Sequence, residues 1–505
     1  MTRRFSISTQ NSQISVTNDQ NHVGGMVGVW NVQNASQIIH TMLYALQHRG
    51  QDSCGITTVN LHELLGYRGV GLLNEVFDDR DKVECLLGDS GMGCVSSMDP
   101  VELRTLRGLQ PLIFQHEDQN ISLIHSGNIT NAKSLRQGLE RQGAVFHSNS
   151  DGELLFHLMR HSGQASIEGQ FKAALKQFTG AFNVILMTNE QLFAAVDQHS
   201  IHPLVVGKLA EAGYLIASET CALDVIGADF QADTLPGHYW IIDREGARQV
   251  AYQASDSLAI ESFEFIYYSR PDSQIHGVNV HRARKNMGIR LAHECPAPKD
   301  SIVVGIPNSS LSAAMGYAEA SGLPYEMGLI KNQYIGRTFI APTQDERESK
   351  VRTKLSAVKG IVQDQSVVLI DDSLVRGTTM TYIVKLLKEA GAREVHVRIA
   401  CPPILFPNYY GVNTNDNKEL MAANYSIEAM RQLLACDSLN FLSLEGLVES
   451  IGLDQEGQGT GLNLNSFNGG YPTPLSDYQA AFEAALTDRQ IQYFKERNEG
   501  HGCQQ

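Results

Sequence analysis

The chain opens with 22 residues that are polar almost throughout and rich in Ser, Gln and Asn; apolar positions begin to recur only at Val23. From there to about Ser255, short β-type runs ("MVGVW", "CGITTV", "ISLIHSG", "AFNVILMT", "YLIAS", "YWIID") alternate with fewer helical stretches, "ASQIIHTMLYALQHR" and "ELLFHLMRH" among them. Short apolar runs bounded by Gly, Asn and Asp read as strands, so this half is a strand-rich α+β domain. From about Ser257 the strands become apolar at nearly every position ("SIVVGI", "SVVLI", "EVHVRIA"), and each is followed by a loop and a helical pattern. Strands without a polar face are buried on both sides, the pattern of a parallel α/β sheet. A Gly/Asn loop over 454–474 precedes a final helix, "SDYQAAFEAALTDRQIQYFKER". The pattern predicts a disordered leader at 1–23, an α+β domain at 24–256 and an α/β domain at 257–500, with no internal repeat.

Composition narrows the function without choosing it. A formal charge of −15 over 505 residues argues against a generic nucleic-acid binder, because nonspecific affinity for polyanions comes from Lys and Arg neutralising phosphates. Any phosphate ligand needs a local site. The eight cysteines are scattered, with no CxxC pair and no apolar secretory leader, which predicts reduced thiols in a cytoplasm. No apolar run reaches membrane-spanning length, so no membrane partner is expected.

The sharpest chemical signal is "VVLIDDSLVRGTTM", 367–380. An apolar strand runs into Asp371 and Asp372, then Ser373, then the turn Arg376, Gly377, Thr378 and Thr379, which opens a helix. A Gly-Thr-Thr turn at a helix N-terminus presents amides and hydroxyls to an anion. Paired acids before it can accept hydrogen bonds from sugar hydroxyls or hold a divalent cation through oxygen. A lone "DD" or "GTT" would read as a solvated turn; strand, acids and cradle in this order favour a phosphate site.

This stretch resembles the phosphoribosylpyrophosphate (PRPP) motif of type I phosphoribosyltransferases, in which the acids face the ribose and the turn takes the 5-phosphate. "VVGIPNSSLSAAMGYAEASG" (303–322) resembles that family's pyrophosphate loop and implies Ser309 as a magnesium-site residue beside Asp371 and Asp372. "KNQYIGRTFIAPTQDERESKVRTKLSAVKG" (331–360) resembles the loop that closes over PRPP, implying diphosphate contacts from Lys331, Arg337 and Lys354. With "YALQHRGQDSCGI", "HSGNITNA", "SDGELLFHL", "GAFNVILM", "ASETCALDVIGA", "YYSRPDSQIHGVNVHRARKNMG" and "SLEGLVESIG" in this order, the chain resembles the glutamine PRPP amidotransferase family from about residue 24 to 490. The resemblance implies an N-terminal-nucleophile glutaminase sandwich followed by a phosphoribosyltransferase domain, magnesium, oligomerisation and inhibition by purine nucleotides. Its reaction begins purine biosynthesis: ammonia from glutamine replaces the pyrophosphate of PRPP to give 5-phosphoribosylamine.

The first half departs from the family where glutamine chemistry occurs. The nucleophilic Cys, exposed in the family by cleavage of a leader, falls on Gly24; a slip of one gives Gly25. Cys54 and Cys94 border the site but carry no terminal amine to act as base. The Arg that pairs with the glutamine carboxylate falls on Ser96, which lacks a guanidinium's planar fork. Ser126 stands at an oxyanion-hole Asn, and losing one such donor typically costs about 100–1000-fold in rate. Arg49, Gly127, Asn128 and Asp151 remain, and each reads equally well as fold-maintaining. The expectation is a pseudo-glutaminase. The four Cys of iron–sulfur relatives fall on Glu261, Asn408, Asn463 and Ser466, so no cluster is expected. In the second half, Asn308 replaces an Asp of the pyrophosphate loop and Gln333 a basic residue.

Two functions fit. One is an amidophosphoribosyltransferase that uses free ammonia, or ammonia from a partner, in place of glutamine. The other is a non-catalytic PRPP or purine-nucleotide sensor, homo-oligomeric or paired with an intact paralogue. The enzyme reading is the favoured one.

Overall fold

The computed structural model describes residues 23–98, 106–116, 119–210, 213–255, 257–332, 355–412, 414, 416–453 and 460–501. The first half is a four-layer sandwich. Seven antiparallel strands form one sheet, in the spatial order 229–233, 205–209, 213–217, 25–30, 90–96, 53–60 and 63–70. Six form the other, ordered 246–251, 238–243, 192–196, 180–187, 119–129 and 112–116. Strand periodicity explains the layering: along Gly25–Trp30, Val27 and Val29 pack beneath the helix Ala35–Ala45, while Met26 and Trp30 enter the core between the sheets with Ile124, Ile185 and Leu192. Two further helices, Asp151–Arg160 and Ile167–Leu175, cover the second sheet through Leu154, Leu155, Phe171 and Leu175. This is the glutaminase-type sandwich implied by the resemblance.

The second half is built on four parallel strands in the order Ser301–Gly305, Ser366–Asp371, Glu394–Ile399 and Ser438–Phe441. The first three match the apolar runs; the fourth is too short and polar to stand out in sequence. Val367, Val368, Leu369 and Ile370 are wholly buried, as strands with helices on both faces must be.

Three expectations need correction. Val23, assigned to the leader, is buried at 4% exposure; the rest of the leader, 1–22, lies outside the described residues. The loop 454–474 contains a strand, Leu462–Asn463, which pairs in parallel with Ile260–Glu261, and a helical turn, Asn465–Asn468. The final helix is broken into Gln479–Ala484 and Asp488–His501, because Thr487 and Gln490 exchange bonds that start a new helix: the Thr487 amide donates to Gln490 Oε1 at 2.7 Å and the Gln490 amide to Thr487 Oγ1 at 3.4 Å.

Candidate active site

Strands 301–305 and 366–371 run in parallel with Gly305 opposite Ile370, so the turns that follow them emerge together at the carboxyl edge of the sheet, where open α/β folds bind ligands. Those turns meet side chain to side chain. Ser310 donates to Asp371 Oδ1 at 2.9 Å, and Ser309 hydrogen-bonds Asp372, which also accepts from Ser373 Oγ at 2.7 Å. Burial, then the Asp372 charge, pushes the Asp371 carboxyl well above the usual carboxylate range. Asp372 is also raised by burial, against hydrogen bonds from Ser309 and Ser373 and the charge of Arg284. Among the described residues no Lys, Arg or His forms an ion pair with either acid. Two carboxylates and a serine hydroxyl are hard oxygen donors of the kind Mg2+ takes. No group of three or more His, Cys, Asp or Glu suited to a metal occurs among the described residues.

Helix starts at the same place are open to an anion, although uncapped helices also occur elsewhere, at Ala35–Ala45 and Ala132–Arg141 for example. Helices Val280–Glu294, Ile427–Leu434 and Leu444–Ile451 are capped by the side chains of Asn279, Ser426 and Ser443. The two helices that start beside the acids, Leu311–Ser321 and Thr378–Glu389, have no side-chain cap. Ser310 precedes the first but spends its hydroxyl on Asp371. The second starts from Gly377 at φ 78°, with Thr378 and Thr379 exposed. Uncapped N-terminal amides on a positive dipole end are anion donors.

The remaining predicted contacts divide. Arg376 is ion-paired with Glu419, both half-exposed. Lys331 is exposed at the end of strand Leu329–Lys331, opposite Leu355 of the antiparallel strand Leu355–Ala357. Arg337, Gln333 and Lys354 lie outside the described residues. Asn308 lies in the turn between strand 301–305 and helix 311–321, after a cis peptide from Pro307.

The first-half positions also come together, but around a closed seat. A β-carbon on Gly24 would stand 2.7 Å from the Val95 carbonyl oxygen and 3.3 Å from Ser96 Oγ; one on Gly25 would stand 2.8 Å from Leu46 Cβ. Either register therefore excludes a side chain without movement of the backbone or core. The Gly24 amide donates to Ser126 Oγ at 2.8 Å, so Ser126 is engaged with the main chain. Gly127 has φ 103°, and a β-carbon there would meet the Ala181 carbonyl oxygen at 2.4 Å. Asn128 Nδ2 donates across to the Tyr409 carbonyl at 2.9 Å, and Asp151 accepts the Ile129 amide at 3.2 Å. Cys54 packs on the helix side of its sheet and Cys94 in the core between sheets, and burial pushes both thiols up to about 12. Neither forms a thiolate at neutral pH.

A buried charge network, invisible in sequence, joins the halves. Arg49 Nε donates to Glu219 Oε1 at 2.5 Å, and Nη2 donates to Glu264 Oε2 and, at 3.2 Å, to Ser269 Oγ. Burial alone would depress this guanidinium, but Glu264 and Glu219 hold it firmly charged; the same contact lowers both acids against their own burial. His202 bridges Glu264 Oε1 (3.0 Å) and the Tyr410 carbonyl (2.9 Å), and Glu264 raises its pKa against burial. Arg284, buried as well, donates to the Phe265 and Ser269 carbonyls at 2.7 and 2.8 Å, and its charge favours ionised Asp372.

The positions of the family's cluster ligands meet in one buried knot. Asn408 Nδ2 donates to Glu261 Oε2 at 3.0 Å and lies 3.4 Å from Ser466 Oγ, and Asn463 Nδ2 donates to the same Glu261 oxygen at 2.7 Å. Amides, a hydroxyl and a carboxyl satisfying one another do not fit an iron–sulfur cluster, which takes thiolates.

Comparison with known proteins agrees with this division. Residues 101–225 match a glutamine amidotransferase domain and residues 281–403 a phosphoribosyl transferase domain. The chain is 48% identical over 470 residues to the amidophosphoribosyltransferase of Staphylococcus aureus (strain MRSA252), covering 93% of this chain and 94% of that one. It superposes with a TM-score of 0.84 on the glutamine PRPP amidotransferase of B. subtilis complexed with ADP and GMP, at 44% identity over 90% of this chain and 98% of the other. A structure described as the allosteric regulatory enzyme of purine biosynthesis gives a TM-score of 0.85 at 42% identity, covering 92% of this chain and 98% of that one.

Proposed function

Given that the chain belongs to the amidophosphoribosyltransferase family, we propose that it makes 5-phosphoribosylamine from PRPP using free ammonia or ammonia delivered by a partner, and that it does not hydrolyse glutamine. The observation that carries the first part is the convergence of Asp371 and Asp372 with the two uncapped helix starts. The acids accept from ribose hydroxyls; the Gly377–Thr379 turn takes the 5-phosphate; Lys331, with Arg337 and Lys354, engages the diphosphate. Asp371, Asp372 and Ser309 would hold Mg2+, which when bound would supply charge neutralisation for the departing pyrophosphate. Ammonia forms the C–N bond at the anomeric carbon as the bond to pyrophosphate breaks, and then gives up a proton. Excluding water keeps the reactive centre for ammonia.

The second part is supported by the closed seat at Gly24, by Ser126 being occupied with the Gly24 amide, and by the absence of a guanidinium at Ser96. The knot at Glu261 supports a protein without an iron–sulfur cluster. The working division is a glutaminase-like domain at 24–256 and a phosphoribosyltransferase domain at 257–500, in a cytoplasmic oligomer. Purine nucleotides, two of which accompany the B. subtilis relative, act as inhibitors at the segments "YYSRPDSQ" and "KLSAV".

The test is PRPP turnover with ammonium and with glutamine. Turnover with ammonium alone, falling at least about 100-fold in Asp371→Asn, is the expected result. Turnover with glutamine sinks the pseudo-glutaminase reading. No turnover with either, together with tight PRPP or nucleotide binding by calorimetry, transfers the assignment to a regulatory subunit.

A further inference from the structure

The Val23–Gly24 peptide lies where the two halves meet and is used by both. Val23 is buried, and its amide donates to the Gly411 carbonyl at 3.4 Å. Gly24 donates to Ser126 Oγ on the other side. Gly411, at φ 95°, closes around the same residue: a β-carbon on it would stand 3.0 Å from Val23 Cγ2, 3.3 Å from Val23 N and 3.3 Å from the Gly127 Cα. The loop leading to Gly411 is anchored to the first half as well, Asn128 holding the Tyr409 carbonyl and His202 that of Tyr410. Residue 23 is thus a packed piece between the 408–411 loop of one half and the 126–128 strand of the other.

We propose that the Val23–Gly24 bond stays intact in the working protein, and that this segment is an interdomain tie, no longer a processing site. The proposal builds on the glutaminase-deficient reading but rests on different observations. Breaking the bond from within at residue 24 needs a side-chain nucleophile beside the Val23 carbonyl, and glycine carries none. Cutting it would turn the Gly24 amide, one N–H facing one acceptor, into an ammonium with three, in a seat closed by the Val95 carbonyl and the Ser126 hydroxyl. A buried charge with unmatched donors is strongly disfavoured. Loss of Val23 would also uncover Gly411 and remove the donor to the Gly411 carbonyl.

Intact-mass measurement with N-terminal sequencing of the purified full-length chain is expected to find no species starting at Gly24; a major species starting there overturns the proposal. A chain made to start at Gly24, by removal of an initiator methionine placed before it, is compared with one that keeps Val23. The shortened chain should melt about 2–4 °C lower and be nicked faster between its halves by protease. Equal melting and equal nicking overturn the tie. Ser126→Ala, which removes the acceptor but no backbone, should lower the melting temperature of the full-length chain in the same direction. Glutamine hydrolysis by a protein that keeps Val23 overturns only the functional reading, whereas cleavage at Gly24 in a protein inert to glutamine overturns only this one.

Discussion

Gly24 and Glu261 each decide something that their neighbours in sequence do not announce. At Gly24 the surrounding backbone has closed on the missing side chain, so Gly24→Cys adds atoms where the Val95 carbonyl already stands. That variant should lose about 1–3 kcal/mol in denaturant unfolding and still hydrolyse no glutamine, because Ser96 and Ser126 are unchanged. Recovered glutaminase activity would show the seat to be open. Glu261 is fully buried, and burial, only partly offset by Asn408, pushes its carboxyl up to about 7. A carboxyl that holds its proton more tightly folded than unfolded contributes most below the unfolded value of 4.5, and the contribution is lost as pH rises toward 7. The loss amounts to about 3 kcal/mol. Glu261→Gln keeps an oxygen for Asn408 and Asn463 and should abolish that decline, leaving the variant the more stable protein at pH 8. An unchanged slope in unfolding between pH 5 and 8 would count against a protonated Glu261.

Among the elements, helix Thr378–Glu389 carries the clearest conflict between stability and function. Its neighbours use Asn279, Ser426 and Ser443 to satisfy their first amides, whereas this helix starts from a glycine that offers none. A glycine in place of a capping side chain costs only about a few tenths of a kcal/mol and leaves the first amides open, for a phosphate ligand to satisfy on binding. Gly377 is also spatially required: φ is 78°, and a β-carbon would meet Met421 Sδ at 2.7 Å. Gly377→Ala should therefore destabilise by about 1–2 kcal/mol. It should also raise KM for PRPP more than it changes turnover at saturation, a split read directly from steady-state kinetics. The order strand, acids, turn, helix was legible because all of it lies within fourteen consecutive residues, 367–380. Ser310 was missed beside Ser309 because only the parallel register of strands 301–305 and 366–371 determines which serine meets which acid.

The molecule as a whole is held at its waist by charge. Arg49 lies 170 residues from Glu219 and 215 from Glu264, and no local pattern could pair them. Removing the guanidinium as Arg49→Met leaves two buried carboxylates, Glu219 beside His48 and Glu264 beside His202, without the charge they share, which should cost about 3–5 kcal/mol and loosen the two halves together. Calorimetry would show one transition becoming two; a single, unshifted transition would contradict the role. Arg49, Asn128 and Asp151 each satisfy a buried partner, Arg49 in the charge network, Asn128 at the Tyr409 carbonyl and Asp151 at the Ile129 amide, so each has a structural role whatever the chemistry of this half. Sequence alone determined the two fold classes, through short apolar runs bounded by turn residues followed by strands apolar at nearly every position, and it marked the candidate PRPP site, through a contiguous motif whose chemistry is local. Tertiary structure alone decided that the seat at Gly24 is filled, that Val23 belongs to the fold, and that Glu261, Asn408, Asn463 and Ser466 satisfy one another. Each of those depends on which distant backbone atoms approach within hydrogen-bonding or van der Waals distance, and that follows from packing rather than from order along the chain.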